Sequence, residues 1–301
     1  MDIIKSERPP LFSRRALVSL SVPIAIDAVL AIFTGMVDTA MVSSAGEAAV
    51  SGISLVDSLF LLFVTAFSAV ASGGVVVTAQ YIGNQDREKA KKSANQLLYA
   101  STFIALLITV TVLFFIPQIL RLVYGELEDA VFESARVYFL YVLLGMPFFA
   151  VASSCTALLR TMSRSKLALF LAMGANILNI GGNAILIYGF DMGAAGAAIS
   201  TTVSRVVWAV VAMYFMHSRK LPVYFENLLK FRLDFDVMRR VLRIGVANGL
   251  ESGLFQVGKL LVASLISSFG TIAIYLLSPL VIAGMGRQML FRVTAFCGRA
   301  L

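Results

Sequence analysis

Apolar residues run along this chain in stretches far longer than a soluble core uses, and short polar segments separate them. Because about 20 consecutive apolar residues cross a bilayer as a helix, the pattern predicts spans over about 16–42, 52–82, 93–116, 134–159, 166–190, 194–216 and 240–270. The first run begins near Leu20 and carries Asp27 and Asp38. The leader "MDIIKSERPPLFSRRALVSL" lacks the short apolar core and small-residue cleavage site of a signal peptide. The predicted fold class is therefore an all-α polytopic membrane protein.

Composition agrees with the pattern. Of 301 residues, 59% are hydrophobic and 14% charged, with a mean hydropathy of +0.87. A soluble domain carries roughly a quarter charged residues. The basic residues also orient the spans. Lys5, Arg8, Arg14 and Arg15 precede span one, and Arg87, Lys89, Lys91 and Lys92 follow span two. Arg160, Arg164 and Lys166 follow span four; Arg219, Lys220, Lys230, Arg232, Arg239, Arg240 and Arg243 follow span six. The opposite loops hold Arg121 beside Glu126, Glu128, Asp129 and Glu133. Positive loops stay in the cytoplasm, so the N-terminus is expected inside. The net charge of +8 is then topological charge facing anionic lipid, and no nucleic-acid partner is expected. Cys155 lies within a span and Cys297 in the tail, which gives neither a disulfide framework nor a metal spacing. His217, the one histidine, sits at a span end. A redox or zinc enzyme finds no ligands, and no paired acids or nucleophile with a base appear, so the chain is not read as an enzyme.

Sliding the sequence by 224 residues brings "SSAGEAAV" onto "SSFGTIAI", Asp27 onto Glu251 and Arg15 onto Arg239. Span seven thus reads as a second copy of span one, and transporters built from repeats carry their site between the copies. From Tyr275 the correspondence fails, with Arg287 and Arg292 where the copy should be apolar. The expected organisation is a leader over 1–15, a six-helix lobe over 16–217, an inter-lobe linker over 218–239, the first helix of a second lobe over 240–270, and an aberrant tail over 271–301. A truncation or frameshift near Tyr275 accounts for that tail; the alternative is a natural short protein with a stunted eighth span.

Polar side chains inside the spans are the candidates for function, since a charge at the bilayer centre costs about 2.5–3.5 kcal/mol even on insertion scales. "FTGMVDTAMVSS" places Asp38 in span one, as a transport residue or as a structural carboxylate capped by hydroxyls. In "GANILNIGGNAILIYG", Asn176, Asn179 and Asn183 recur at steps of three and four and share one helix face. Their carbonyl oxygens suit a hard cation such as sodium, while their N–H donors suit helix–helix adhesion. Ser200, Thr201, Thr202 and Ser204 add oxygens on span six, unless each bonds its own preceding turn. Glu251 and Lys259 lie in span seven, eight residues apart, and are not direct partners. The glycines of "ASGGVVV" and "MGAAGAAIS" read as close helix packing.

Taken in order, "PIAIDAVLAIFTGMVDTAMVSSAGEAAVSGISL", "TAQYIGNQDREKA", "LLRTMSRSKLALF", "NILNIGGNAILIYGFDMGAAGAAIST" and "NGLESGLFQVGKLLVASLISSFGTIAI" resemble the bacterial multidrug and toxic compound extrusion (MATE) transporters, over residues 14–274. The resemblance implies a six-helix N-lobe plus the first helix of a C-lobe, in the bacterial inner membrane. It implies a secondary antiporter that exports amphipathic, often cationic drugs in exchange for sodium or protons. Asp38 matches the family's cation-coupling acid, Asn179, Asn183 and Thr201 fall at its partner positions, and Glu251 matches an acid of the seventh helix in another branch. Asn176 joins Glu251 as a substrate or proton candidate. Asn183 is a departure, because one branch has aspartate there. No cofactor is expected beyond a sodium ion at Asp38, Asn179, Asn183 and Thr201. Two alternatives stand beside this reading. One is an inactive fragment of such a transporter. The other is a flippase for lipid-linked precursors, whose cavity would be lined with basic residues; here Arg136, Arg205 and Lys259 are the cations counted well inside spans.

Overall fold

The structure, a computed structural model, describes residues 14–125, 127–225 and 234–268. They form α1 (Arg14–Ser43), α2 (Glu47–Gly83), α3 (Arg87–Tyr124), α4 (Asp129–Leu144), α5 (Met146–Thr161), α6 (Ser165–Asn183), α7 (Gly193–Met216) and α8 (Phe235–Ser268). A π-helical segment, Ala184–Gly189, prolongs α6. Among the described residues, five helices are long and apolar enough to cross a membrane, and α4 with α5, bent by 48°, pass the same test together as a sixth span. The tail over 271–301 lies outside the described residues.

Local chemistry sets the boundaries. After Gly83, Gln85 turns the chain with a φ of 59°, and Asp86 starts α3 by accepting from the Lys89 N–H at 3.1 Å. The Lys89 side chain bonds the same carboxylate at 2.9 Å and holds its carboxyl below the usual aspartate range. The α4–α5 bend follows from Pro147, which has no N–H to give the carbonyl four residues back. That carbonyl, on Leu143, accepts instead from Thr109 Oγ1 of α3 at 3.3 Å. Its neighbours are also used from outside the helix. Thr202 Oγ1 donates to Tyr141 O at 2.7 Å and Arg205 Nη1 to Val142 O at 3.4 Å. The bend therefore turns three α4 carbonyls into anchor points for α3 and α7.

Apolar packing fills the larger compact unit, Ile26–Ser252. Phe139, Leu143, Met146, Leu120 and Val56 are fully buried in one cluster. Leu97, Leu158, Leu159, Met216 and Phe225 are buried in another. Large apolar side chains also point outward, such as Phe103, Phe114 and Leu122 on α3, as lipid-facing positions do. Three of the glycines read from sequence as packing sites are such sites: Gly74 lies against Leu97, Gly73 against Val241 and Gly245 of α8, and Gly196 against Leu186. Gly52, like Gly73, meets backbone, because a Cβ there would stand 2.8 Å from the backbone nitrogen of Ala135. Backbone cannot yield as a side-chain end can. Gly52→Val is expected to push α2 off α4 and to cost at least the roughly 1–3 kcal/mol of overpacking, read as a lowered thermal midpoint of the purified protein.

Two cations are placed differently from expectation. Arg136, counted well inside a span, lies in the second turn of α4, exposed and paired with Glu133 at 3.1 Å. Arg160, counted with a loop, lies in the last turn of α5 and pairs with Asp27 of α1 at 2.7 Å.

Candidate functional site

Three helices converge on Asp38. On α6, Asn179 and Asn183 are one turn apart and both buried, so their amides stack along the face that meets α1 and α7. Gly182 lets α7 approach, since a Cβ there would collide with the Ser200 side chain. Ser200 Oγ then donates to the Asn179 backbone carbonyl at 2.7 Å, tying α7 to α6 across the site.

Asn183 Nδ2 donates to Asp38 Oδ1 at 2.8 Å. The Asn179 amide lies 3.1 Å from both Asp38 oxygens on one side and 3.1 Å from Thr201 Oγ1 on the other. Its nitrogen belongs on the carboxylate and its oxygen on the hydroxyl, the one orientation in which donors meet acceptors at every contact. Among the described residues, no lysine or arginine pairs with Asp38. The Asn183 Oδ1 atom is buried and accepts no hydrogen bond. The cluster thus combines one carboxylate, two amides, a hydroxyl and an unused carbonyl oxygen. Its helix widens into the π-helical segment right after Asn183, a distortion common at functional positions.

The remaining sequence candidates are placed apart from this cluster. Asn176 is half-exposed one turn along α6 and makes no hydrogen bond among the described residues. Glu251 is exposed on α8, and the Lys259 side chain lies outside the described residues. Of the α7 hydroxyls, Ser200, Thr201 and Thr202 reach across to other helices, while Ser204 bonds its own preceding turn at Thr201 O, 2.9 Å away.

Sequence reasoning misses a third acid. Asp57 stands ten residues into α2 and accepts from the Tyr138 hydroxyl of α4 at 3.1 Å. It lies within electrostatic reach of Asp38 and Arg205. The same signal that singles out Asp38, an acid inside an apolar run, is present in "GISLVDSLFLLF". It is masked because the predicted span starts only five residues earlier, where an acid passes for an interfacial residue.

Residues 23–185, more than half of the chain, match the family model described as MatE. The chain belongs to the MATE family. Among relatives of this MATE protein, the uncharacterized transporter YisQ of Bacillus subtilis is 29% identical over 264 residues, covering 86% of this chain and 57% of that protein. The multidrug export protein MepA of Staphylococcus aureus is 24% identical over 272 residues, 89% of this chain and 58% of that one. A solved outward-facing multidrug resistance MATE family transporter superposes with a TM-score of 0.84 at 21% identity, over 95% of this chain and 63% of that one. The chain therefore spans somewhat over half the length of the relatives it matches. Its fold is the MATE-like N-lobe of six spans, with α8 as the first helix of the C-lobe. The family is one of membrane transporters.

Proposed function

We propose that this MATE protein belongs to a secondary antiporter of the bacterial inner membrane, in which the Asp38 cluster takes the coupling sodium ion or proton while an amphipathic, often cationic molecule is exported. The observation that carries this reading is the partnering of Asp38. An acid held by arginine is compensated permanently, whereas Asp38 has only neutral amides and lies near an unused oxygen of Asn183. Amides suit both states of such a site. Their N–H groups serve the bare carboxylate, and their oxygens serve a hard cation that replaces those N–H contacts. An ion or proton that neutralises Asp38 removes the cost of a membrane charge, so its binding is coupled to any movement of α1 against α6 and α7. The basic segments of the sequence place the N-terminus in the cytoplasm in this reading. The name of the relative MepA, a multidrug export protein, supports the export of drug-type small molecules.

A second carboxylate in the cluster tests the cation reading in the gain direction. Asn183→Asp adds a formal charge beside Asp38 and is expected to tighten sodium binding at least tenfold, by titration calorimetry on the purified protein. An unchanged affinity would mean that position 183 does not reach the ion. Efflux of ethidium from a pump-deficient bacterial strain expressing this lobe within a two-lobed relative tests the export reading. Absence of any gradient-dependent efflux would sink it.

A further inference from the structure

The basic end of the lobe, where α2 gives way to α3 and the chain leaves α7, holds a feature that the coupling reading does not use. A cleft of about 440 Å³ lies there, lined by Ile82, Gln85, Arg87, Ala90, Pro222 and Val223. Its volume falls within the roughly 300–1,000 Å³ of small-ligand sites. One wall is the α2–α3 turn, fixed by the N–H groups of Asn84, Gln85 and Asp86. They donate to the carbonyls of Gln80, Ile82 and Tyr81, each at 3.0 Å. The other wall is the segment after α7. Its Phe225 N–H donates to Met216 O at 2.9 Å, and Val223 and Phe225 are fully buried. Lys91 Nζ of α3 donates to the Tyr224 hydroxyl at 3.1 Å and so ties the two walls together.

The pairing of charges singles out Arg87. From Asp86 to Lys92 the chain has two acids and four cations. Lys89 takes Asp86 at 2.9 Å and Lys91 takes Glu88 at 3.4 Å. Among the described residues the Arg87 side chain forms no ion pair or hydrogen bond, and neither does the Gln85 amide. The cleft thus offers a guanidinium fork and an amide N–H, together with an apolar lining from Ile82, Ala90, Pro222 and Val223. Its depth suits a lipid headgroup. Arg87 precedes the predicted apolar edge at residue 93 by six residues, roughly 9 Å along a helix. Headgroups occupy about 5–8 Å beyond the hydrocarbon, within reach of an arginine side chain. We propose that this cleft is a headgroup site for an anionic phospholipid. The phosphodiester oxygens accept from Arg87 in bidentate fashion and from the Gln85 amide, and the glycerol backbone lies on the apolar lining. Phosphatidylcholine and phosphatidylethanolamine carry the same phosphate plus a cation, which the net positive charge of this run repels; an anionic headgroup has no such cation. A bound lipid joins the α2–α3 turn to the segment after α7. The proposal needs only a bilayer around the lobe and stands independently of the coupling and export reading.

Native mass spectrometry of the purified full chain, with phosphatidylglycerol and phosphatidylcholine of identical acyl chains in equal amounts, measures the selection. Phosphatidylglycerol is expected to be retained with an affinity about tenfold above phosphatidylcholine, near the lower end of what a hydrogen bond to a charged group contributes. Arg87→Gln should abolish that preference. Arg87→Lys, which keeps the charge and loses the fork, should keep part of it. Gln85→Gly removes the amide at a backbone position that suits glycine, with its φ of 59°, and should weaken binding severalfold. Lys92→Gln removes an exposed cation of the same run that does not line the cleft, and should leave the preference in place. All three positions are exposed, so the variants keep the packed interior. Equal retention of the two lipids overturns the proposal, since the cleft then selects no headgroup. An equal loss in Arg87→Gln and Lys92→Gln overturns it in favour of diffuse surface charge. Displacement of the lipid by equimolar glycerophosphoglycerol overturns it in favour of a soluble anion. Sodium calorimetry on the same preparations reads the Asp38 cluster separately, so failure of the one reading is told apart from failure of the other.

Discussion

Sodium affinity is expected to fall by roughly a hundredfold in Asp38→Asn, and gradient-dependent efflux by a two-lobed relative carrying this lobe is expected to stop. The substitution preserves shape, and an amide oxygen at position 38 still accepts from Asn183 Nδ2, which now bonds Asp38 at 2.8 Å. What is lost is the charge. A carboxylate inside a bilayer gains about 3 kcal/mol when a cation neutralises it, and an amide gains nothing comparable; that difference is about two decades of affinity. Because Asn179 and Thr201 act through the same carboxylate, Asn179→Ala or Thr201→Ala combined with Asp38→Asn should be scarcely worse than Asp38→Asn alone. Calorimetry with sodium, and with protons followed by pH, measures both points. Wild-type affinity in Asp38→Asn would remove the coupling role; fully additive losses would make the amides separate structural groups.

The largest stability effect is expected at the other acid of α1. Asp27 and Asp38 are eleven residues apart, three turns and about 20°, so one helix face presents both. Their partners differ in kind. Arg160 bonds Asp27 at 2.7 Å with both side chains less than a third exposed, and this partner requires the acid to stay charged. Arg160→Gln leaves Asp27 as an uncompensated charge, and Asp27→Asn does the same to Arg160. Removal of one member of a buried pair costs about 3–5 kcal/mol; partial exposure puts this pair near the lower figure. Against a whole-domain margin of roughly 5–15 kcal/mol that is a large loss. The double variant Asp27→Asn/Arg160→Gln should regain most of it, since two amides can bond each other without charge. Thermal unfolding of the three proteins decides the matter. A wild-type midpoint in Arg160→Gln would make the pair a bystander.

Several features are legible in the sequence, for physical reasons. In a bilayer the backbone has no water to bond, so an apolar run of sufficient length has to be helical. Among the described residues, six predicted spans accordingly fall on helices apolar enough to cross a membrane, and the seventh falls on the less apolar helix α8. The faces are legible too, because steps of three and four set Asn179 and Asn183 on one side of α6 whatever surrounds them. Other features are invisible in principle. Pro147 is plain in the sequence, but a membrane helix tolerates proline in several ways. That α4 and α5 bend by 48° goes with Thr109, Thr202 and Arg205 arriving to bond α4 carbonyls, among them the one Pro147 leaves free. Arg136 and Arg205 look alike as cations within spans; one proves a surface residue bonded to Glu133, the other a mid-helix charge stacked on Phe60.

By itself, then, the sequence determined where the chain becomes helix, which side chains share a face, and that a charge such as Asp38 within a span is costly. Those follow from solvent and from the 3.6-residue period, both local. Only the tertiary structure decided which partner each acid received: arginine for Asp27, amides for Asp38, a tyrosine hydroxyl for Asp57. Each choice joins groups on different helices, 133 residues apart for Asp27 and 145 for Asp38. The depth and rotation of one helix against another come from the packing of many side chains at once, and no local pattern encodes them.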